Sequence, residues 1–318
     1  MSPRSPGTPR LSVITPLFNC LEITRAMVES LRASIPASIS YEVILVDDGS
    51  TDGTRDWLAG LGAPFRVILN DTNLGFGAAT NRGAAAARGE VLALLNNDLL
   101  FRRGWLRPMM RSLRTLGRHA GLVGNVQLNA GTLEVDHVGI VVNQKCKPEH
   151  DRSTPSWMET AFHPTRRVFA VTGACVLVRK ETWARLGGFD EGYVNGCEDI
   201  DLSLRASELG LANAVALRSR VLHRVSSSPG RKRRDEENSQ RLVLRWRHRL
   251  ALFSAREWTW GHFLGILPEP RDFAEPSEAW GTVFYLLRLR RRPPDEAMAA
   301  MNAAIDGELA RWQKIFSK

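Results

Sequence analysis

The sequence predicts an α/β fold: a mainly parallel, mixed sheet flanked by helices and followed by a helical C-terminal extension. Three observations carry that prediction. Short apolar runs of β type alternate with segments of helical periodicity through the first half of the chain, the pattern of βαβ units. Polar and acidic clusters recur at the ends of those apolar runs, where open parallel sheets collect their ligands. Beyond residue 230 the alternation stops and long helical patterns, arginine-rich at their start, take over.

Taken in order, Leu11–Leu17 reads as a buried strand and residues 22–34 as a helix that Pro36 closes, since proline cannot continue the backbone ladder. Residues 41–46 form a second strand, ending in Asp47-Asp48-Gly49-Ser50. Thr51 and Asp52 offer side-chain oxygens to cap a helix that runs through Trp57. A third strand covers 65–69, an Ala-rich helix covers 76–88 and stops at Gly89, and a fourth strand over 91–95 ends in Asn96-Asn97-Asp98. Another helix spans 105–116. The middle is less regular: strands with polar turns over 121–145, a polar surface loop over 146–167 covering the site, a strand over 169–178 and a short helix over 181–186. Residues 198–209 form a helix with Leu202, Ala206 and Leu209 on one face. After Val221-Leu222-His223 come a flexible turn over 226–230, a long basic helix over 234–253, and helices near 277–291 and 295–316 split by Pro293-Pro294. Trp246, Leu250 and Phe253 fall at helical spacing and are expected to pack. The expected organisation is a flexible N-terminus over 1–10, an α/β domain over 11–230 and a basic helical region over 231–318.

Composition narrows the classes. Of 318 residues 43% are apolar and 24% charged, which suits a packed core rather than disorder. No window approaches ~18 uninterrupted apolar residues, so no transmembrane helix is expected. The first ten residues lack the apolar region of a secretory signal. Cys20, Cys146, Cys175 and Cys197 are widely spaced and form no metal-type pair, which predicts free thiols in a reducing cytoplasm. Residues 218–256 hold 12 Lys/Arg against 3 Asp/Glu, which equals the whole net charge of +9. Such a segment suits a phosphate-bearing ligand or an anionic membrane surface as well as a solvated helix face. The run Val283-Phe284-Tyr285-Leu286-Leu287, with Arg288, Arg290, Arg291 and Arg292, could lie in a membrane interface, which would place the protein at the inner face of the membrane. Docking of this region onto the α/β domain or onto a second copy in a homodimer is equally open.

Each polar cluster has a chemical reading. Asp48, at a strand end, could accept from a pyrimidine N–H or from ribose hydroxyls, though Asp47, Asp48 and Asp52 are also common turn and cap formers. Asn73-Leu74-Gly75-Phe76-Gly77, with Asn81, leads a loop into a helix start, where open backbone N–H groups suit a phosphate. Gly75 and Gly77 lack the G-x-G-x-x-G spacing of a dinucleotide site. Glu198 and Asp199 sit in a first helical turn, where the helix dipole favours carboxylates whatever their function.

Five signals in order resemble glycosyltransferase family 2: residues 13–19 (VITPLFN), residues 46–54 (VDDGSTDGT), the segment from Asn73 to Gly77 with Asn81 and Gly83, Leu95-Asn96-Asn97-Asp98, and residues 196–201 (GCEDID). The resemblance covers roughly residues 10–225 and is nearest to bacterial enzymes that build surface polysaccharides, rhamnosyltransferase-like members among them. It implies the GT-A fold, a Rossmann-like nucleotide-binding architecture, and sugar transfer with inversion from a UDP- or dTDP-sugar to a saccharide or lipid-linked saccharide. It places Pro16, Asn19, Asp48, Ser50, Asn73, Gly75, Phe76, Asn81, Asn96 and Asn97 against the nucleotide. Asn96-Asn97-Asp98 stands where the family has an Asp-x-Asp motif, with Asn96 replacing the first carboxylate. Asp98 remains as an oxygen ligand for Mn²⁺ or Mg²⁺ bridging the pyrophosphate, and His223 is the implied second ligand. The catalytic base falls on Asp199, with Glu198 beside it and Asp201 supporting the helix. Two other classes compete. A sugar-phosphate nucleotidyltransferase would show a Gly-rich, basic loop after the first strand, and residues 17–20 (LFNC) are not one. A basic nucleic-acid-binding protein would leave the acidic clusters unexplained, and no nucleic-acid motif is present, so nucleic acid is not an expected partner.

Overall fold

The structure is a computed structural model that describes residues 9–224, 234–266 and 276–317. Two compact units emerge: residues 1–140 with 150–235, and residues 141–149 with 236–318.

The first unit opens with β1 (Leu11–Leu17), α1 (Leu21–Ser34), β2 (Tyr41–Asp48), α2 (Thr54–Ala59), β3 (Phe65–Asn70), α3 (Phe76–Ala86) and β4 (Val91–Leu95). Then come β5 (Leu99–Leu100), α4 (Leu106–Leu116), β6 (Ala120–Asn129) and β7 (Val135–His137). Strands β8 (Ile140–Val142) and β9 (Pro148–His150) pair with each other. The unit continues with α5 (Trp157–Phe162), β10 (Thr165–Arg167), β11 (Cys175–Arg179), α6 (Lys180–Leu186), α7 (Glu198–Glu208) and β12 (Ala212–His223). The main sheet runs β10-β12-β6-β11-β4-β1-β2-β3, with β5 on β12 and β7 on β6. Strands β1 to β4 are mutually parallel where they pair, and β11 runs antiparallel to β4 and β6.

The sheet buries both faces. On one, Met27 and Leu31 of α1 and Met109 and Leu113 of α4 pack on Val13, Val43 and Leu45. On the other, Ala79 of α3, Trp183 of α6 and Leu202 of α7 pack on Ile14, Ile44 and Val46. Double-sided burial is why β1, β2 and β4 read as continuous apolar runs rather than alternating ones. Helix α3 sits so close that a Cβ at Gly83 would lie 2.6 Å from a methyl of Ile14 and 2.9 Å from one of Val46. Glu42, buried in β2, accepts from Ser12 Oγ at 2.6 Å, Arg66 Nη1 at 2.9 Å and the Arg88 amide at 2.7 Å. Burial alone would raise its pKa, but these donors outweigh it and hold the carboxyl down at about 2.

Several expectations need correction. The stretch 146–167 is not one loop: it contains β9, α5 and the edge strand β10, whose Thr165–Arg167 pair with Ala214–Ala216 of β12. The strand expected over 169–178 begins only at Cys175, because residues 172–174 turn toward α7. Asp52 accepts from Leu21 N at the start of α1 (2.9 Å) as well as from Thr54 (2.6 Å), and Gly53 occupies the N-cap of α2. The expected turn over 226–230 and most of the lead-in over 1–10 lie outside the described residues.

The second unit comprises α8 (Asp235–Ile266), α9 (Pro276–Leu286), α10 (Asp295–Phe316) and the hairpin tip 141–149. Helix α8 carries a non-helical residue at Trp246. Leu250, Met301, Ile305 and Trp312 are buried, whereas Phe253 is 40% exposed with the Arg249 guanidinium over its ring. The hairpin is integral to this unit. Cys146 is buried with its Sγ 3.6 Å from Met301 Sδ, Ser254 donates to the Asn143 carbonyl at 2.5 Å, and Lys147 pairs with Glu308 at 2.9 Å. The helical region therefore takes part of its packing from the middle of the sequence.

Candidate active site

The carboxyl ends of β1 and β2 are tied together by the motif residues. Beyond Leu17 the backbone turns through Asn19 and Cys20, both at positive φ (54° and 60°). The Asn19 amide donates to Ser50 Oγ at 2.8 Å, and Asn19 Oδ1 accepts from Thr51 N at 2.8 Å. Pro16 lies in β1 in register with Val46. Asp48 ends β2, only 3% exposed. Its Oδ1 accepts from Asn70 Nδ2 (2.7 Å) and Leu74 N (3.0 Å), and its Oδ2 from Gly75 N (2.9 Å). A carboxylate has about four lone-pair positions, and Asp48 uses three of them to anchor the Asn73–Phe76 loop and Asn70. Asn73 Oδ1 also accepts from Gly75 N, and Phe76 N donates to Asn195 Oδ1, both at 3.0 Å. The N–H groups expected to face a phosphate at Gly75 and Phe76 are thus already engaged. Gly49, at φ 83°, lets the β2 turn pass against this loop: a Cβ there would sit 3.0 Å from Asn73 N.

Asn81 is held by the turn after α6. Its amide donates to the Phe189 carbonyl (2.9 Å) and Glu191 Oε1 (2.8 Å) and accepts from Phe189 N (2.9 Å). Asn81 thereby clasps α3 to the turn after α6.

At the end of β4, Asn96 N donates to the Ala174 carbonyl at 2.8 Å, and Asn97 Nδ2 turns to Thr24 Oγ1 on α1 at 3.0 Å. The next two residues matter most. Leu99 pairs with His223 across β5 and β12, and that register sets the Asp98 carboxylate 3.5 Å from His223 Nε2. Both side chains are buried. His223 Nδ1 lies 2.8 Å from Asp136 Oδ2. Burial alone would lower the imidazole pKa, but the hydrogen bonds and charges of Asp136 and Asp98 hold it up at about 9. A carboxylate oxygen and an imidazole nitrogen are ligand types that could hold a divalent cation.

Sequence reasoning missed Asp136 and His137. Their signal was an Asp-His pair of metal-ligating residue types, but its significance depends on a β-bulge. Val135 pairs with Leu128 and His137 with Gln127, leaving Asp136 as the extra residue of β7. The described ligand atoms of Asp136, His137 and His223 all lie within 4.8 Å of one another. His137 is wholly buried, and burial pushes it down to about 3, so the imidazole is neutral.

The third component is the start of α7, entered through Cys197 at φ 69°. Glu198 is buried. Asp199 is partly exposed; its Oδ2 accepts from Gly173 N at 2.7 Å and its Oδ1 from Ile200 N at 2.8 Å. Room for this comes from Gly173, where a Cβ would stand 3.4 Å from both Asp199 Cβ and the Phe76 ring. Asp201 pairs with Arg205 at 2.8 Å, and Arg205 reaches the Leu186 and Gly188 carbonyls, so Asp201 fastens α7 to the end of α6. Hydrogen bonds thus link Asp48 to Gly75, Phe76 to Asn195, and Asp199 to Gly173, the neighbour of Ala174, whose carbonyl accepts from Asn96.

The sequence profile described as "Glycosyl transferase family 2" matches residues 12–182. The chain belongs to glycosyltransferase family 2. It is 32% identical over 235 residues to the O-antigen biosynthesis protein RfbC of Myxococcus xanthus, a match that covers 70% of this chain and 18% of that protein. It is 27% identical over 231 residues to the N-acetylglucosaminyl-diphospho-decaprenol L-rhamnosyltransferase of Mycobacterium tuberculosis, covering 64% of this chain and 71% of the relative. Among solved structures, GalNAc-T7 with UDP, GalNAc and Mn²⁺ superposes with a TM-score of 0.62 at 19% identity, covering 80% of this chain and 51% of that one. The fold is GT-A-like, and the chain spans less than a fifth of the length of the Myxococcus xanthus relative.

Proposed function

We propose that this glycosyltransferase moves one sugar, with inversion, from a UDP- or dTDP-linked donor to a hydroxyl of a saccharide or lipid-linked saccharide during synthesis of a bacterial surface polysaccharide. The observation that carries the reading is the pairing of β5 with β12, which brings Asp98 and His223 within 3.5 Å at the same sheet edge as the Asn96–Ala174 contact. Asp98 and His223 would hold a divalent cation, which when bound offsets charge on the leaving diphosphate. Asn19, Asp48 and Ser50, with Pro16, Asn73, Gly75 and Phe76, form the nucleoside side, and Asn96 and Asn97 border the pyrophosphate. Asp199 stands on a different element and takes the acceptor proton, with Glu198 beside it. The nucleotidyltransferase and nucleic-acid readings lose support from the family match over residues 12–182.

Calorimetry with UDP and dTDP tests the nucleoside side. Asp48→Ala is expected to weaken binding of the matching nucleotide at least ~10-fold, since a hydrogen bond to a charged group is worth ~1.5–3 kcal/mol. Because Asp48 also anchors Leu74 and Gly75, the variant should melt below wild type. Unchanged affinity for both nucleotides would move the pocket elsewhere.

A second feature favours peripheral membrane contact. On α9, Trp280 and Phe284 fall at i and i+4 and are 62% and 44% exposed, and Leu287, 63% exposed, follows in the turn after it with Arg288 and Arg290, Arg291 and Arg292. Apolar and arginine side chains in that order suit an anionic lipid interface. No helix among the described residues is long and apolar enough to cross a membrane. The protein is expected to sediment with phosphatidylglycerol vesicles and not with phosphatidylcholine vesicles, and Trp280→Ser with Phe284→Ser should abolish this. Equal sedimentation with both lipids, or none with either, would remove the contact.

A further inference from the structure

We infer that an arginine-lined cleft at the amino ends of the parallel strands, remote from the proposed donor site, binds a small soluble ligand that carries two or more phosphate groups.

The cleft has a volume of about 720 Å³ and is bounded by α4, the chain entering β1 and β2, and the α5–β10 connection. Small-molecule sites commonly occupy ~300–1,000 Å³. Arg10 stands just before β1 and Ile39 shortly before β2, whereas Asn19 and Asp48 lie at the carboxyl ends of the same two strands. Strand β1 spans seven residues, which at ~3.3 Å per residue separates the two ends of the sheet by ~20 Å. An occupant of the cleft is therefore not the donor nucleotide.

Three features set the chemistry of that occupant. The first is the lining. Arg10, Arg107, Arg111, Arg114 and Arg218 all border the cleft, and no carboxylate among the described residues does. A concave surface of one sign concentrates counter-ions of the other. The second is the make-up of α4. Arg107, Arg111 and Arg114 fall at i, i+4 and i+7, and the chain from Leu99 to Thr132 holds six arginines and no Asp or Glu. Like charges at that spacing destabilise a helix. Arg10, Arg107, Arg111 and Arg114 make no ion pair with any described residue, whereas Arg55, Arg66, Arg166 and Arg205 of the same unit each meet a carboxylate. An anion held among the first four would offset their repulsion. The third is that the walls are fixed in place. Arg218 donates from Nε to the Thr160 carbonyl at 2.9 Å and from Nη2 to the Ala161 carbonyl at 2.7 Å. Ser112 Oγ of α4 and Thr165 Oγ1 of β10 lie 2.7 Å apart and join helix to edge strand. Groups already ordered lose less freedom when a ligand arrives.

Guanidinium groups match phosphate oxygens two at a time, so several of them around one cavity suit an oligophosphate. The only ring on the described lining is the His163 imidazole, which leaves successive nucleobases nothing to stack on. A recessed cavity also suits a discrete molecule better than a flat lipid surface.

The test is calorimetry of the full chain with inorganic pyrophosphate and inorganic phosphate. EDTA is present, so that no cation bridges either probe at the proposed donor site. Wild type is expected to bind pyrophosphate more tightly than phosphate, with an affinity that falls as NaCl is added. Arg111→Gln and Arg114→Gln should each weaken pyrophosphate at least ~10-fold; both side chains are exposed, so the fold should survive. Arg185→Gln removes the same charge from α6, on the opposite face of the sheet, and should leave the affinity within ~2-fold. No pyrophosphate binding by the wild type, which needs no variant to fold, would overturn the inference. So would unchanged affinity in the Arg111 and Arg114 variants, or an equal loss in Arg185→Gln. Binding of phosphatidylglycerol vesicles or of an oligonucleotide that depends on Arg111, with no binding of pyrophosphate, would overturn the assignment to a small soluble ligand.

Discussion

Asp199→Asn is expected to lower turnover ~10²–10⁴-fold, the scale for removing a general base, while leaving donor binding in place. As the acceptor oxygen attacks the anomeric carbon, its proton becomes acidic and needs a base on the face opposite the leaving diphosphate. That base must not be consumed as a metal ligand. Asp199 lies on α7, away from the Asp98–His223 pair on β4–β5 and β12, and is partly exposed where Asp98 is buried. The substitution is nearly isosteric, and its amide oxygen can keep the bond from Gly173 N while only that from Ile200 N is lost, so the turn beside Phe76 should survive. The loss should therefore appear in kcat rather than in donor affinity or melting temperature. Glu198→Gln is the control: Glu198 is buried beside the site and should cost less. Near-wild-type turnover by Asp199→Asn alongside an inactive Glu198→Gln would reverse the assignment within the pair. Activity in both would send the search for the base elsewhere.

Removal of divalent cations should abolish turnover, and Mn²⁺ or Mg²⁺ should restore it. The leaving diphosphate develops charge that a bound cation offsets by several kcal/mol. Asp98→Ala should match the effect of EDTA and resist rescue by added metal. Full activity in EDTA would show that the protein's own cationic groups stabilise the leaving group.

The parallel half of the sheet was readable because β1, β2 and β4 are buried on both faces and announce themselves as apolar runs. The motifs after them were readable for a related reason: polar residues placed directly behind such runs must emerge at the sheet edge. Strand β10 was not readable. Thr165-Arg166-Arg167 has no strand pattern of its own and becomes a strand only through its partner β12. The hairpin tip 141–149 was hidden by distance, since the Met301 that covers Cys146 lies 155 residues on. The clasp that Asn81 makes with Phe189 and Glu191 was not readable, because its partners lie more than a hundred residues away. Asp136 and His137 were missed for the opposite reason, because a single extra residue in a ladder decides where they point. Asp48 falls between: its place at the strand end was expected, but its grip on Leu74 and Gly75 needed the folded loop.

The most direct measurement is proton NMR of the purified chain with a panel of UDP- and dTDP-sugars, Mn²⁺ and a saccharide acceptor, following the anomeric protons. The account predicts that at least one donor is consumed, that nucleoside diphosphate is released, and that the new glycosidic bond has the anomeric configuration opposite to the donor's. A product that retains the donor configuration would contradict the single displacement with Asp199 as base. Failure to bind or consume any nucleotide sugar, with donors of other bases included, would contradict the proposed function itself.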